Sequence, residues 1–189
     1  MAPLTVFLDA NVLYPAALRD LLMRLALQGL FRAKWSDMVH EEWMEAVQRD
    51  FSNITRPQLE RTRDLMNRNA IDSLVTGFEH LIESIKLPDP DDRHVLAAAI
   101  ASAATRIVTF NLKDFPTTSL QPYGIKAQHP DEFITQLMEI DMESVCTAAR
   151  QHRINLRNPP KTALEYLGTL ERQGLPKTVA RLREFASII

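Results

Sequence analysis

Apolar residues along this chain follow two periods. One short unbroken run, Leu4 to Leu8, stops at Asp9, and another, Ile107-Val-Thr-Phe110, stops just before Asn111 and Asp114. Runs of this kind predict strands buried on both faces, as in a parallel sheet. Elsewhere the period is helical. Leu18, Leu21, Leu22, Leu25 and Ala26 share a face, in a helix expected to begin near Tyr14-Pro15 and to stop at Gly29. Trp35 to Val47 predicts a second helix, capped by Ser36 or Asp37. Pro57 to Met66 predicts a charged, peripheral helix, and Phe78 to Ile85 fits helix or strand equally. Pro88 and Pro90 hold an extended entry into a helix that starts near Asp91. Tyr123 to Pro130 predicts one more short strand, followed by helices over about 131–139, 141–152, 160–172 and 176–187. Strand, helix, strand at this spacing predicts βαβ units, hence an α/β fold with a central parallel sheet and a helical tail. The expected division is residues 1–140 and 141–189, with the boundary set loosely near 130–155.

The polar residues that interrupt these patterns are mostly carboxylates. Asp9 falls at the carboxyl end of the first strand, where open α/β sheets hold ligands, and Asn11 is placed to orient the loop behind it. A helix N-cap is the bland alternative for Asp9. On the helix beginning at Ser36, a turn of about 100° per residue puts Val39, Trp43, Ala46 and Val47 on one stripe. Glu42 borders that stripe and Glu41 points nearly opposite, so Glu42 is the inward candidate. On the later helix, Val95, Leu96, Ala99 and Ala103 lie within about 60° of Asp92. A carboxylate on a buried stripe needs a partner, while Asp89 or Asp91 can serve the helix end. His94 points off the Asp92 face and is expected to be exposed; Arg93, Lys113 and Arg19 are the candidates for gripping a phosphate. Asp9, Glu42, Asp92 and Asp114, with the Asn111 amide beside them, would form an oxygen-rich site of the kind that holds Mg²⁺ or Mn²⁺. Such ions relieve the mutual repulsion of the carboxylates and assist hydrolysis of phosphodiesters.

Composition narrows the alternatives. At 189 residues and 46% hydrophobic the chain can bury a full core. One cysteine, Cys146, excludes an internal disulfide and a multi-cysteine zinc site, and reads as buried filler. Five histidines show no metal-ligand spacing, and five glycines leave no phosphate-binding loop. No apolar run reaches transmembrane length and no leader pattern opens the chain, so a cytoplasmic protein is expected. The charge is unevenly spread: residues 1–149 hold 14 Lys/Arg against 21 Asp/Glu, whereas residues 150–189 hold 8 against 3. A metal site accounts for part of the acidic excess. The basic tail suits a phosphate backbone, an acidic partner or simply solvent. The arginines from Arg49 through the charged helix read as surface charge, with an RNA path as the alternative.

Taken in order, Phe7-Leu-Asp9-Ala-Asn-Val-Leu13, Ser36 followed by Glu42, Asp89-Pro-Asp-Asp92-Arg-His-Val-Leu-Ala-Ala-Ala99 and Ile107-Val-Thr-Phe-Asn111-Leu-Lys-Asp114-Phe115 resemble the PIN-domain nucleases, in particular VapC-type toxins of toxin–antitoxin pairs. The resemblance covers about residues 4–135 and implies a three-layer α/β/α domain acting as a metal-dependent endoribonuclease. It places Asp9, Glu42 and Asp92 at the three main acidic positions and Ser36 at a small polar position near the site. Many members carry Asp-x-x-Asp after the second strand, and Asn111 stands here at the first of those positions, an oxygen ligand without charge. The resemblance further implies an RNA substrate, a cognate antitoxin that blocks the cleft, and frequent homodimers. The helices after about residue 140 resemble the tail of longer VapC-like proteins.

Two rivals belong to other classes. A haloacid-dehalogenase-type phosphatase also opens with a strand ending in aspartate, but that chemistry uses Asp-x-Asp and the second position here is Asn11. A catalytically inactive RNA-binding or scaffolding PIN domain is the other, and the retention of all four carboxylates argues against it.

Overall fold

The computed structural model describes residues 4–189. The first three residues, within the stretch where no leader is expected, lie outside the described residues. The chain divides into two compact units, one of residues 1–14 and 31–129, the other of residues 15–30 and 130–189.

The first unit is built on five strands, β1 (Leu4–Leu8), β2 (Phe31–Ser36), β3 (Leu74–Val75), β4 (Arg106–Val108) and β5 (Lys126–Gln128), in the order β3-β2-β1-β4-β5. All four pairings are parallel. In register, Val6 faces Ala33 on one side and Arg106 on the other. This is the expected α/β architecture, and the central strands are the apolar ones: Val6, Phe7, Leu8, Ile107 and Val108 are all fully buried. The sheet is wider than the apolar runs suggest. β2 follows the alternation Phe31 in, Arg32 out, Ala33 in, and Trp35 belongs to this strand rather than to the following helix. β3 is only two residues long and carries no pattern of its own.

The helices of this unit are α1 (Ala10–Leu13), α3 (Asp37–Asp50), α4 (Arg56–Asn69), α5 (Glu79–Ile82), α6 (Arg93–Ala101) and α7 (Thr117–Leu120), with α2 (Ala16–Leu27) belonging to the other unit. Helix α6 packs against β1, β2 and β4. Residues 94–99 are all buried, so this helix has no solvent-facing stripe over that span. It ends at Ala101, where the Ser102 hydroxyl donates to the carbonyls of Ala98 and Ala99. Ala103, expected on its buried stripe, is instead exposed with φ of +52°. Trp35 and Trp43 anchor α3 and α4 through polar contacts: Trp35 Nε1 donates to Asn67 Oδ1 (2.7 Å), and Trp43 Nε1 donates to His40 Nδ1 (3.0 Å), whose Nε2 meets the same Asn67 oxygen.

The second unit consists of α2, α8 (Pro130–Ile140), α9 (Met142–Asn155), α10 (Ala163–Arg172) and α11 (Pro176–Arg183). The expected tail helices are present to within a few residues. Gln173 caps α2 by accepting from the Leu18 amide (2.7 Å), and buried Asp131 caps α11 by accepting from the amides of Lys177 and Thr178 (2.9 and 2.8 Å). Cys146 is buried, as expected. Arg19 is buried in this unit, where loss of solvent lowers the pKa of its guanidinium. That burial removes it from the phosphate-gripping candidates. Among the described residues, no helix is long and apolar enough to cross a membrane.

Candidate functional site

Parallel strands deliver their carboxyl ends to one edge of the sheet, and the polar residues expected there sit at that edge. Asp9 follows β1 directly. Its backbone amide extends the ladder by one bond to the Val108 carbonyl (3.1 Å), which fixes the residue before its side chain is considered. A short helix α1 begins at once, ahead of the helix expected near Tyr14-Pro15, which is α2, because Asp9 Oδ1 accepts from the Ala10 amide (2.7 Å) and caps it. Pro15 separates α1 from α2. Cap and candidate ligand are therefore the same carboxylate.

The second Asp9 oxygen accepts from Asn11 Nδ2 and from the Thr109 hydroxyl, both at 2.7 Å. Asn11 in turn accepts from the Phe110 amide (3.0 Å), tying the end of β1 to the end of β4. The Thr109 oxygen accepts from the Asn111 amide (3.0 Å). Thr109 is fully buried and is the hub of this array, a role that its place in the Ile107-Val-Thr-Phe110 run gave no reason to assign. Burial pushes the Asp9 carboxyl above its ordinary range; the bonds from Thr109 and Ala10 oppose that rise, and the charge of Glu42 adds to it.

Around Asp9 the structure gathers the other carboxylates in two ways. Asp89, Asp92 and Asp114 each offer an oxygen within 4.8 Å of the others. Asp89 is the unexpected member. It opens the 3-10 turn Pro90–Asp92 by accepting from the Asp91 amide (2.9 Å) and lies beside Asp92 and Asp114. Asp114 is held by the Asn111 side-chain amide, which donates to it. Asn111 thus turns its amide nitrogen, rather than only its oxygen, into the cluster. Asp9 and Glu42 lie outside that tight trio but close enough to act on it. The Asp92 carboxyl is pushed up to about 7, first by burial, then by the charges of Asp9, Asp89, Asp114 and Glu42.

Glu42 is reached through α3. The Ser36 hydroxyl accepts from the Val39 amide (3.3 Å) and caps that helix, so the small polar residue acts here by setting the helix that carries Glu42. Glu42 is partly exposed, and its Oε1 lies 2.6 Å from Nε2 of His94. His94 is only 3% exposed, against the expectation of an exposed side chain. The helical-wheel argument fails there because α6 is buried on every side. A buried histidine requires a partner, and Glu42, expected to face inward but found with its side chain 45% exposed, is that partner. Glu41 points away and pairs bidentately with Arg56, Nη1 to Oε1 at 2.8 Å, as a solvated surface charge does. Lys113 is exposed beside Asp114, and Arg93 is half-buried at the start of α6.

The donor set suits a hard divalent cation. It is all oxygen, it is acidic beyond what hydrogen bonds compensate, and one member already binds its proton near neutral pH for want of positive charge. No histidine or cysteine belongs to the trio, which disfavours zinc.

A family described as PIN domain matches residues 5–113, and one described as VapC50 C-terminal domain matches residues 130–184. The chain is 40% identical over 92 residues to "Putative ribonuclease VapC50" of Mycobacterium tuberculosis (strain ATCC 25618 / H37Rv). That match covers 49% of this chain and 54% of the relative, so it spans about half the length of each. No solved structure matches the chain.

Proposed function

The chain belongs to the PIN-domain family, with a C-terminal region of the VapC50 kind, and from that premise we propose that it is a metal-dependent endoribonuclease, the toxin of a VapC-type toxin–antitoxin pair. The observation that carries this reading is the convergence on Asp92. Four other carboxylates, from the ends of β1 and β4, from α3 and from the turn before α6, act on one half-buried group. A fold does not gather five acidic side chains at a ligand-binding edge without cost, and a bound cation offsets that cost.

Asp89, Asp92 and Asp114 would hold the cation, with Asp9 and Glu42 completing the negative field around it. When bound, a Mg²⁺ or Mn²⁺ ion would supply positive charge that lowers the pKa of a coordinated water and offsets charge on the scissile phosphate. The chain's own residues do the positioning. Thr109 and Asn11 hold one oxygen of the Asp9 carboxylate and the Ala10 amide holds the other. Asn111 fixes Asp114, and His94 fixes Glu42. Asp92, once ionised, would be available to accept a proton from the attacking water. Single-stranded RNA loops are the favoured substrate, because their backbone can enter a cleft. A cognate antitoxin closing that cleft, homodimer formation and a cytoplasmic location complete the reading.

The phosphatase alternative would need a second carboxylate at position 11, and Asn11 instead spends its amide on Asp9, Thr109 and Phe110. The test is to incubate the protein with total RNA in Mg²⁺ or Mn²⁺, beside EDTA and an Asp92→Asn variant, and to map new 5′ ends. Discrete cuts that disappear with EDTA and with the variant are expected. Absence of both cutting and metal binding would end the nuclease reading and leave an inactive RNA-binding domain.

A further inference from the structure

Beside the acidic centre lies a cavity of about 370 Å³ lined by Ala10, Asn11, Tyr14, Glu42, Trp43, Ala46, Arg49 and Asp50. All eight belong to the first unit. Its volume falls in the range of pockets that hold small ligands, about 300–1,000 Å³. Asn11 and Glu42 also belong to the acidic centre, so whatever fills the cavity is adjacent to the phosphate cut there. The wall is apolar and lined by the small side chains of Ala10 and Ala46 and by Trp43, which is fully buried. The rim is polar and ordered. The Tyr14 hydroxyl donates to Asp50 Oδ2 (2.8 Å), and Arg49 Nε donates to Asp50 Oδ1 (3.2 Å). The Tyr14 ring lies 6.4 Å from that of Phe51, tilted by 33°, and Phe51 is 47% exposed.

Resting on the ribonuclease reading, we propose that this cavity is a nucleobase subsite that favours guanine next to the scissile phosphate. The apolar wall, with half-exposed Tyr14 and exposed Phe51 beside it, accepts the face of any base. Arg49 offers its outer guanidinium nitrogens to the neighbouring phosphate. Selectivity comes from Asp50. Each of its oxygens spends one lone pair on Tyr14 or Arg49 and keeps another. A carboxylate with one acceptor free on each oxygen matches two adjacent donors, and guanine alone among the four bases presents that pair, N1–H and the N2 amino group, on its Watson–Crick edge. Tyr14 and Arg49 are therefore the residues that aim Asp50, and Asp50 is the residue that reads the base. The arginine at the end of α3, which the sequence leaves as surface charge, acquires a function here.

The test measures binding, apart from cutting. Labelled uridine hexamers with and without one central guanosine are titrated against the full chain in EDTA, with fluorescence anisotropy as the readout. The guanosine hexamer is expected to bind about tenfold more tightly, the discrimination of one good bidentate base contact. Asp50→Asn should abolish that preference while retaining overall binding, and Tyr14→Leu should weaken both hexamers. Thermal melts of each variant confirm that the fold is retained. Equal binding of the two hexamers, no binding of either, or a preference unchanged in Asp50→Asn would overturn the proposal. A guanosine preference in a chain that cuts no RNA with Mg²⁺ or Mn²⁺ would keep the subsite and discard the nuclease.

Discussion

Removing the charge of Asp92 is expected to stabilise the metal-free protein, although the residue is a candidate for the centre of the active site. Its carboxyl is pushed up to about 7, against an ordinary aspartate value of about 4. Three units of difference correspond to about 4 kcal/mol for a fully buried group. The side chain is only half-buried, and solvent screening removes roughly half of that. Loss of a negative charge at the start of α6 costs up to ~1 kcal/mol of helix-dipole interaction. The Asp92 side chain makes no capping bond that the variant would lose. A net gain of about 1–2 kcal/mol remains for Asp92→Asn at pH 8 in EDTA, which for a chain of this size is a rise of about 3–6 °C in Tm. The sign follows from linkage. A folded-state pKa above the unfolded one means that the native state binds the proton more tightly. Its contribution is fully present below about pH 4 and is lost as the pH rises through 7. Other groups titrate in the same window. His152 in the second unit, pushed down to about 4 by burial, works in the opposite sense, since its contribution is lost as the pH falls below 6.5. The diagnostic is therefore the difference in Tm between native and Asp92→Asn, in which His152 cancels. Melts at pH 4.5, 6 and 8 in EDTA should show that difference growing with pH, and saturating Mg²⁺ at pH 8 should raise the native Tm more than that of the variant. A variant that melts below the native protein at pH 8 in EDTA, or a difference that does not change with pH, would refute the reasoning.

Three further substitutions separate positioning from packing. Thr109→Val keeps the shape but removes the donor to Asp9 and the acceptor of the Asn111 amide; it should cost about 1–3 kcal/mol in chemical denaturation and lower RNA cleavage at least tenfold, with the loss in kcat. Ser36→Ala deletes the cap of α3 and should cost about 1 kcal/mol, with metal affinity by calorimetry reduced less than in Asp89→Asn, because the cap acts only through Glu42, whose charge reaches Asp92 from outside the trio. Ala103→Gly relieves a left-handed alanine and should raise stability by roughly 1 kcal/mol, with no change in RNA cleavage; a lower melting temperature would show that the alanine packs usefully where it stands.

The strands that carry the site were legible because burial on both faces leaves an unmistakable mark on sequence. Val6-Phe-Leu8 and Ile107-Val108 have no polar residue to confuse the period, and both stop at the residue where the site begins. β2 and β3 were not legible. One alternates like a half-exposed strand and runs without a break into α3, and the other is too short to have a period. The same limit applies to the site. Asp9, Glu42, Asp92 and Asp114 could be picked from strand ends and helix faces. His94 could not be placed by a wheel, since a helix buried all round has no outer face. Asp89 was hidden because a 3-10 turn, not an α-helix, precedes α6, and that turn folds Asp89 back beside Asp92. Thr109 was hidden because a threonine within a strand is ordinarily a β-former, and only the pairing of β1 with β4 brings it to Asp9.

The asparagine at position 111 follows from the same electrostatics. Asp92 already sits among four negative charges and holds its proton to about neutral pH. An aspartate at 111 would add a further charge beside Asp114, where the present amide donates a hydrogen bond. Like charges at such distance raise one another's pKa and would drive a second carboxyl toward protonation in the absence of metal. The amide avoids that and holds Asp114, whose carboxylate lies beside Asp89 and Asp92. The asparagine therefore trades a potential ligand for the orientation of the candidate ligand Asp114. With fewer charges to neutralise, one cation goes further toward balancing this cluster than it would in a site with aspartate at both positions.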